Sequence, residues 1–160
     1  DPYARYSEAG PDYVYNVKRL LQKFDTARQL VPAPEIRKAS RKTRLGAIYF
    51  GSTAPAMDEA LDLLNSGGIP VDSMRLRAFP FPDEVQAFID LHDEVFVVEQ
   101  NRDGQMRTLL MNELDIDPFK LVPILHYDGT PITARYINSA ITKHVHASIV
   151  TPRERRETVK

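Results

Sequence analysis

The spacing of hydrophobic residues changes along the chain, and each change marks a predicted element. Val95-Phe96-Val97-Val98 is a run of β-branched and aromatic residues without polar alternation, which is typical of a strand buried on both faces of a parallel sheet. Polar residues and a glycine fill the next positions, 99–105, and helical spacing resumes at Met106. The pattern therefore predicts a central strand that passes into a helix through a polar loop.

The same patterns predict three further strands, over Leu45–Phe50, Val71–Ala78 and Leu121–Tyr127. A segment with helical spacing follows each of them, with the inward apolar residues Met57, Ala60, Leu61 and Leu64, then Val85, Phe88 and Ile89, and finally Ile132, Tyr136, Ile137, Ala140 and Ile141. Strand and helix thus alternate four times. This alternation predicts an α/β fold, a three-layer sandwich with a mainly parallel sheet.

A helix over about residues 12–30 precedes the first strand in the sequence, and Pro32 and Pro34 end it. Three hypotheses for its apolar face stay open: packing back on the sheet, docking on a domain outside this sequence, or forming a homodimer. We divide the chain into an N-terminal extension (1–34), a basic linker (35–44), the α/β domain (45–146) and a tail expected to be disordered (147–160).

Composition narrows the function classes. A chain of 160 residues suits one domain with one core, and its net charge of −1 gives no general attraction to nucleic acid or to anionic membranes. The absence of cysteine excludes disulfides, thiolate catalysis and an iron–sulfur cluster ligated by this chain. Since the chain opens on Asp1-Pro2 without a signal-peptide pattern, we expect an excerpt of a longer cytoplasmic polypeptide.

Candidate functional residues cluster at the carboxyl edge of the predicted sheet, where α/β folds usually bind ligands and partners. One group follows the first strand and precedes a helix N-terminus, which can hold an anion on backbone N–H groups; helix capping by Ser52 or Thr53 explains the same residues. The spacing there matches neither a dinucleotide fingerprint nor a P-loop. The candidate interface or ligand-edge residues are Gly51, Ser52, Thr53, Glu99, Gln100, Asn101, Arg102 and Asp103.

Independent catalysis has little support. Glu99 and Arg102 offer a carboxylate base and a guanidinium, and His126 with Asp128 would complete a cluster at the same edge. No Ser–His–Asp order, H-E-x-x-H motif or activated thiol accompanies them, so we assign no catalytic residue.

Two pairs of possible metal ligands, Asp115 with Asp117 and His144 with His146, lack a third ligand. We expect the first pair to belong to a turn and the second to lie where the solvated tail begins, and we assign no metal or cofactor site. The basic run Arg37–Arg44 fits either a phosphate contact or a solvated linker, and we favour the linker.

Three segments carry a family resemblance: FGSTAPAMDEAL (Phe50–Leu61), LRAFPFPDEVQAFI (Leu76–Ile89) and VVEQNRDGQ (Val97–Gln105). In this order and spacing they resemble the α subunit of the 2-oxoacid:ferredoxin oxidoreductases, most of all the 2-oxoglutarate type. The matched part is the transketolase C-terminal-like domain, over about residues 12–141. The resemblance agrees with the α/β architecture that the hydrophobic pattern predicts.

The resemblance implies a subunit domain of a larger enzyme. Such enzymes decarboxylate a 2-oxoacid on thiamine diphosphate with magnesium, pass electrons through an iron–sulfur cluster to ferredoxin, and form acyl-CoA and CO2. The cofactors would lie in the remainder of the α subunit and in the β subunit, so this fragment would bind none of them and act as an assembly or scaffold domain. Arg102 is then the expected anchor toward a partner subunit. The alternative is a free-standing phosphate- or ligand-binding module of the same fold.

Overall fold

The computed structural model describes residues 1–150. Helices and strands alternate over most of that length, in the order α1 (Gly10–Leu30), β1 (Glu35–Arg37), β2 (Leu45–Phe50), α2 (Ala54–Ser66), β3 (Asp72–Leu76), α3 (Asp83–Leu91), β4 (Glu94–Glu99), α4 (Gln105–Glu113), β5 (Leu121–Leu125) and α5 (Ala134–Val150). Single turns of 3-10 helix precede α2 and β5, over Gly51–Thr53 and Pro118–Lys120.

The sheet has five strands in the order β1-β3-β2-β4-β5. The pairs β2–β3, β2–β4 and β4–β5 are parallel, and only β1 is antiparallel to its neighbour in this sheet. The two central strands, β2 and β4, contain the longest buried runs, as the unbroken Val95–Val98 run predicts. Pro123 lies on β5, an edge strand of the sheet. Proline has no N–H to donate to a neighbouring strand, and an edge strand tolerates it because one side of the strand has no neighbour. The predicted fold class is confirmed.

Helices cover both faces of the sheet, so the domain has three layers. Alternate residues of β4 enter two different cores: Phe96 and Val98 face α2 and α5, while Val95 and Val97 face α3 and α4. The helical residues predicted to point inward are buried in α2 and α3: Met57, Ala60, Leu61, Leu64, Val85, Phe88 and Ile89. Burial on both faces explains why the central strands show no polar alternation.

The basic linker predicted over 35–44 contains a strand. Residues Glu35–Arg37 form β1, which pairs with β3 in the register Glu35 to Arg75. The carboxylate of Glu35 lies 3.3 Å from Arg75 and 3.5 Å from Arg77. A three-residue strand on an edge carries almost no periodic signal, so the sequence pattern missed it.

The last helix differs from its prediction at both ends. Thr130 does not cap it, because the backbone N–H and hydroxyl of Thr130 donate to Asp128. Thr133 accepts from the backbone N–H of Tyr136 at 3.2 Å instead, and α5 begins at Ala134. The helix continues to Val150, so residues 147–150 are helical rather than part of a disordered tail; positions 151–160 of that predicted tail lie outside the described residues.

Helix α1 forms as predicted and lies beside the domain rather than inside it. All of α1 lies within the described residues, and none of its residues is buried. Within residues 1–150, none of the helices combines the length and apolar character needed to cross a bilayer.

Candidate functional site

The two predicted site segments meet at the carboxyl edge of the sheet. They follow β2 and β4, which are neighbouring parallel strands, so both chains leave the sheet at the same edge. The side-chain amide of Gln100 joins them: its Nε2 donates to Thr53 Oγ1 at 3.2 Å and to Ser52 Oγ at 3.3 Å. Its Oε1 accepts from the backbone N–H of Ile132 at 3.1 Å. Gln100 thus connects three loops with one side chain.

The predicted capping role of Ser52 and Thr53 is wrong. Neither hydroxyl caps α2, whose N-terminus carries no side-chain hydrogen bond. A 3-10 turn over Gly51–Thr53 intervenes, with Gly51 at φ +59°, and Thr53 is buried at 2% exposure. The hydroxyls serve as partners of Gln100 instead. This arrangement holds the turn against the neighbouring loop.

Glu99 is fully buried and acts as a helix cap. Its carboxylate accepts from the backbone N–H groups of Met106 at 2.8 Å and Arg107 at 3.2 Å, which belong to the first turn of α4. It also accepts from Asn101 Nδ2 at 2.6 Å. A carboxylate satisfies the unpaired N–H groups of a helix start and interacts favourably with the helix dipole. Its lone pairs are therefore engaged in structure rather than directed at a substrate.

Asn101 continues the same local network. Its Oδ1 accepts from the backbone N–H groups of Asp103 at 3.1 Å and Gln105 at 3.2 Å. Gly104, at φ +63°, adopts the left-handed conformation that closes the loop and starts α4. The loop backbone is therefore fixed by its own side chains.

Arg102 and Asp103 lie on the outside of this loop. The guanidinium Nε of Arg102 donates to Asp103 Oδ1 at 2.7 Å, and the two side chains are 75% and 57% exposed. A rigid loop therefore presents one exposed arginine and one exposed carboxylate. Of the charged residues on the loop that follows β4, these two are exposed.

The proposed cluster of His126 and Asp128 with Glu99 does not form. The backbone N–H of His126 donates to the backbone oxygen of Glu99 at 3.1 Å, but the Glu99 carboxylate faces α4. The His126 ring is near Thr130 O and Asp128 Oδ1, at 3.0 and 3.1 Å. Hydrogen bonds from the hydroxyl and backbone N–H of Thr130 lower the pKa of Asp128. These contacts order the turn after β5 and do not assemble an acid–base pair with Glu99.

Two of the possible metal ligands, Asp117 and His144, make contacts within the domain. Asp117 accepts from the backbone N–H of Phe119 at 3.0 Å, which is the turn role expected of it, and His144 lies 3.0 Å from Glu94 Oε2. Residues 1–150 bring together no group of three His, Cys, Asp or Glu side chains able to hold a metal ion. The chain has no cysteine to ligate an iron–sulfur cluster.

A polar cluster at the opposite, amino edge of the sheet was not found from the sequence. Buried Asp72 accepts from Lys38 Nζ and from the backbone N–H of Ala39, both at 2.8 Å, and His92 Nε2 lies 3.3 Å from its Oδ2. Burial raises the pKa of Asp72. The hydrogen bonds from Ala39, Lys38 and His92 together lower it by more than burial raises it, so the pKa is below its usual value. His92 Nδ1 lies 2.7 Å from the backbone oxygen of Phe88. Both ring nitrogens of His92 therefore lie near oxygen atoms, one of Phe88 and one of Asp72.

The basic run is largely paired within the domain. Arg37 lies 2.6 Å from Asp62, Lys38 pairs with Asp72, and Arg44 lies 2.5 Å from Asp93. These ion pairs attach the segment before β2 to α2 and to the amino edge of the sheet. They engage three of the five basic side chains of the run in contacts within the domain.

Fold and site together define a class: a three-layer α/β domain whose carboxyl-edge loops are held by internal hydrogen bonds and expose few charged groups. No protein-family model matches the chain. The chain is 26% identical over 126 residues to subunit alpha of 2-oxoacid:ferredoxin oxidoreductase 2 from Aeropyrum pernix, a match that covers 76% of the chain and 19% of that protein. The resemblance inferred from the three sequence segments is therefore confirmed.

Solved structures agree on the fold. The chain superposes on the 2-oxoglutarate:ferredoxin oxidoreductase from Magnetococcus marinus, a structure with 2-oxoglutarate, coenzyme A and succinyl-CoA bound, with a TM-score of 0.76 and 22% identity, over 87% of this chain and 24% of that one. A split-gene transketolase, in an inactive β4 tetramer, superposes with a TM-score of 0.57 and 17% identity, over 71% of this chain and 42% of that one. The chain spans about a fifth of the length of its curated relative.

Proposed function

We propose that this chain is the transketolase C-terminal-like domain of the α subunit of a thiamine diphosphate-dependent 2-oxoacid:ferredoxin oxidoreductase of the 2-oxoglutarate type. The sequence similarity to the A. pernix α subunit is the observation that carries this proposal. The whole cytoplasmic enzyme would convert a 2-oxoacid and CoA to acyl-CoA and CO2 and reduce ferredoxin. Thiamine diphosphate, magnesium and the iron–sulfur cluster would be held by the rest of the α subunit and by the β subunit.

Within that enzyme the domain acts as a scaffold rather than as a catalyst. The buried Glu99 carboxylate, the Gln100 amide and the Asn101 amide are all engaged in fixing their own loops. A loop fixed in this way can present side chains to a partner without a large ordering cost on binding. Arg102, exposed on its tip, is the anchor toward the β subunit, because planar guanidinium groups pair well with carboxylates at interfaces.

The experiment is to co-express the complete α subunit with its β subunit and measure their association. We expect Arg102→Ala to weaken association at least about tenfold, as loss of an anchor arginine does at many interfaces. Arg41→Ala is the matched control, since Arg41 is exposed in the loop before β2, at the opposite edge of the sheet. Equal association of both variants with the wild type would contradict the anchor role. Absence of 2-oxoacid-dependent ferredoxin reduction in the wild-type complex would contradict the enzyme assignment.

The ligand-module alternative makes a different prediction. It requires Gly51–Thr53 and Glu99–Gln105 to line an accessible cleft, yet Thr53 and Glu99 are buried and hydrogen-bonded. A thermal-shift titration with inorganic phosphate, coenzyme A and thiamine diphosphate separates the two. We expect no saturable stabilisation of the domain, whereas a saturable rise in Tm with one of them would favour the module.

A further inference from the structure

Helix α1 exposes a continuous apolar face. Its residues recur at spacings of three and four and lie on one side of the helix; we define the α1 face as Tyr13, Val14, Val17, Leu20, Leu21 and Phe24. Leu20, Leu21 and Phe24 are 51%, 60% and 53% exposed. A helix in water normally hides such a stripe, and contiguous exposed apolar patches mark interaction sites.

The α/β domain meets this face at its C-terminal end. Phe24 meets Phe79 edge to face with ring centroids 6.3 Å apart, and Phe79 meets Phe81 at 5.3 Å. Phe81 is buried in the core, while Phe79 remains 41% exposed. The last turn of α1 and the start of α3 are separated by a cleft of about 660 Å³, with Arg28 and Asp83 on its two sides. The apolar surface therefore continues from α1 onto Phe79, and the domain leaves most of it uncovered.

We propose that the α1 face docks on the remainder of the same α-subunit polypeptide. This inference rests on the proposed function. Its support is the superposition on the M. marinus enzyme, which covers 87% of this chain, a larger share than residues 31–160 alone can supply. Part of residues 1–30 is therefore included in the superposition, on a protein about three and a half times as long as this chain. The superposition on the split-gene transketolase covers 71% of this chain, a share that the α/β domain can account for without α1.

The size of the face favours a tethered partner over a second copy. From Tyr13 to Phe24 the stripe is about 17 Å long and about 10 Å wide. The exposed fractions of these six side chains offer less accessible surface than the roughly 800 Å² that each partner buries in a stable dimer. A contact within one polypeptide needs less area, because the tether raises the effective concentration of the two surfaces.

The test places a photo-cross-linking benzoylphenylalanine at position 20 of the complete α subunit, assembled with β from a mixture of heavy- and light-isotope-labelled α subunits. Gln22→benzoylphenylalanine is the control, since residue 22 lies on the opposite side of α1. We expect position 20 to cross-link, severalfold more than position 22, to peptides of the same isotope label that lie outside residues 1–160.

Cross-links between differently labelled α subunits, cross-links to β, or equal yields at the two positions would overturn the inference. Ferredoxin reduction is assayed on the same preparation. An active enzyme with misplaced cross-links contradicts the docking alone, whereas an inactive preparation with the expected cross-links contradicts the proposed function alone.

Discussion

The carboxylate of Glu99 lies 2.8 Å from the backbone nitrogen of Met106, so the residue at the end of the central strand caps the helix that follows it. Replacement of Glu99 by alanine leaves the N–H groups of Met106 and Arg107 without their acceptor in a partly buried site. We expect Glu99→Ala to lower the free energy of unfolding by about 2–3 kcal/mol, measured by urea denaturation. Glu113→Ala, at an exposed position of α4, is the control and should change it by less than about 0.5 kcal/mol. Equal stability of the two variants would show that the cap contributes nothing.

Gln100 provides a second, separable prediction because it connects three loops through one amide. Gln100→Ala removes the acceptor of the Ile132 N–H and the donor to Thr53. We expect a loss of about 1–2 kcal/mol in unfolding free energy together with faster hydrogen exchange at the Ile132 amide. Asn112→Ala, exposed on α4, should leave that amide unchanged. Unaltered exchange at Ile132 in Gln100→Ala would contradict the contact.

Gly46 lies where the sheet and α3 approach closely. A Cβ added there would sit 3.0 Å from Phe88 Cε1 and 3.1 Å from the His92 ring. We expect Gly46→Ala to cost about 1–3 kcal/mol through overpacking. Gly10→Ala is the control, since a Cβ at Gly10 meets nothing within 4 Å. Combination with Phe88→Leu should cost less than the sum of the two single changes, and strict additivity would argue against the steric account.

Asp72 makes stability depend on pH in a defined direction. Its pKa is lower in the folded chain because donors from Ala39, Lys38 and His92 outweigh its burial. A carboxyl group with a lowered folded pKa stabilises above its unfolded pKa of about 4, and this contribution is lost as the pH falls through the folded value.

We therefore compare the free energy of unfolding of the wild type and Asp72→Asn by urea denaturation. We expect the difference between them, the stability gap, to be largest near about pH 6 and to shrink toward about pH 3. Asp115→Asn, at an exposed loop position, should show a small gap that does not change. A gap of constant size for Asp72→Asn would contradict the lowered pKa.

The sequence predicted where the candidate site residues lie in the fold, but it did not predict what each of them does there. Position along the chain placed Gly51–Thr53 and Glu99–Asp103 at one sheet edge, because parallel strands end on the same side. Their roles depended on partners far away in the sequence. Ser52 and Thr53 read as caps because a hydroxyl before a helix is a common cap, but Gln100 lies 47 residues beyond Thr53 and takes the hydroxyl as its partner. The cluster around Asp72 could not be predicted from local sequence, because Lys38 lies 34 positions before Asp72 and His92 lies 20 positions after it.

The sequence by itself determined the alternation of β2 to β5 with α2 to α5 along the chain, the burial of β4 on both faces, the inward residues of α2 and α3, and the family resemblance. All of these follow from local periodicity or short motifs. The tertiary structure decided the strand order, the edge strand β1, the buried caps and ion pairs, and the exposure of α1. Those features arise from contacts between distant segments, whose free energy depends on geometry that no local pattern records.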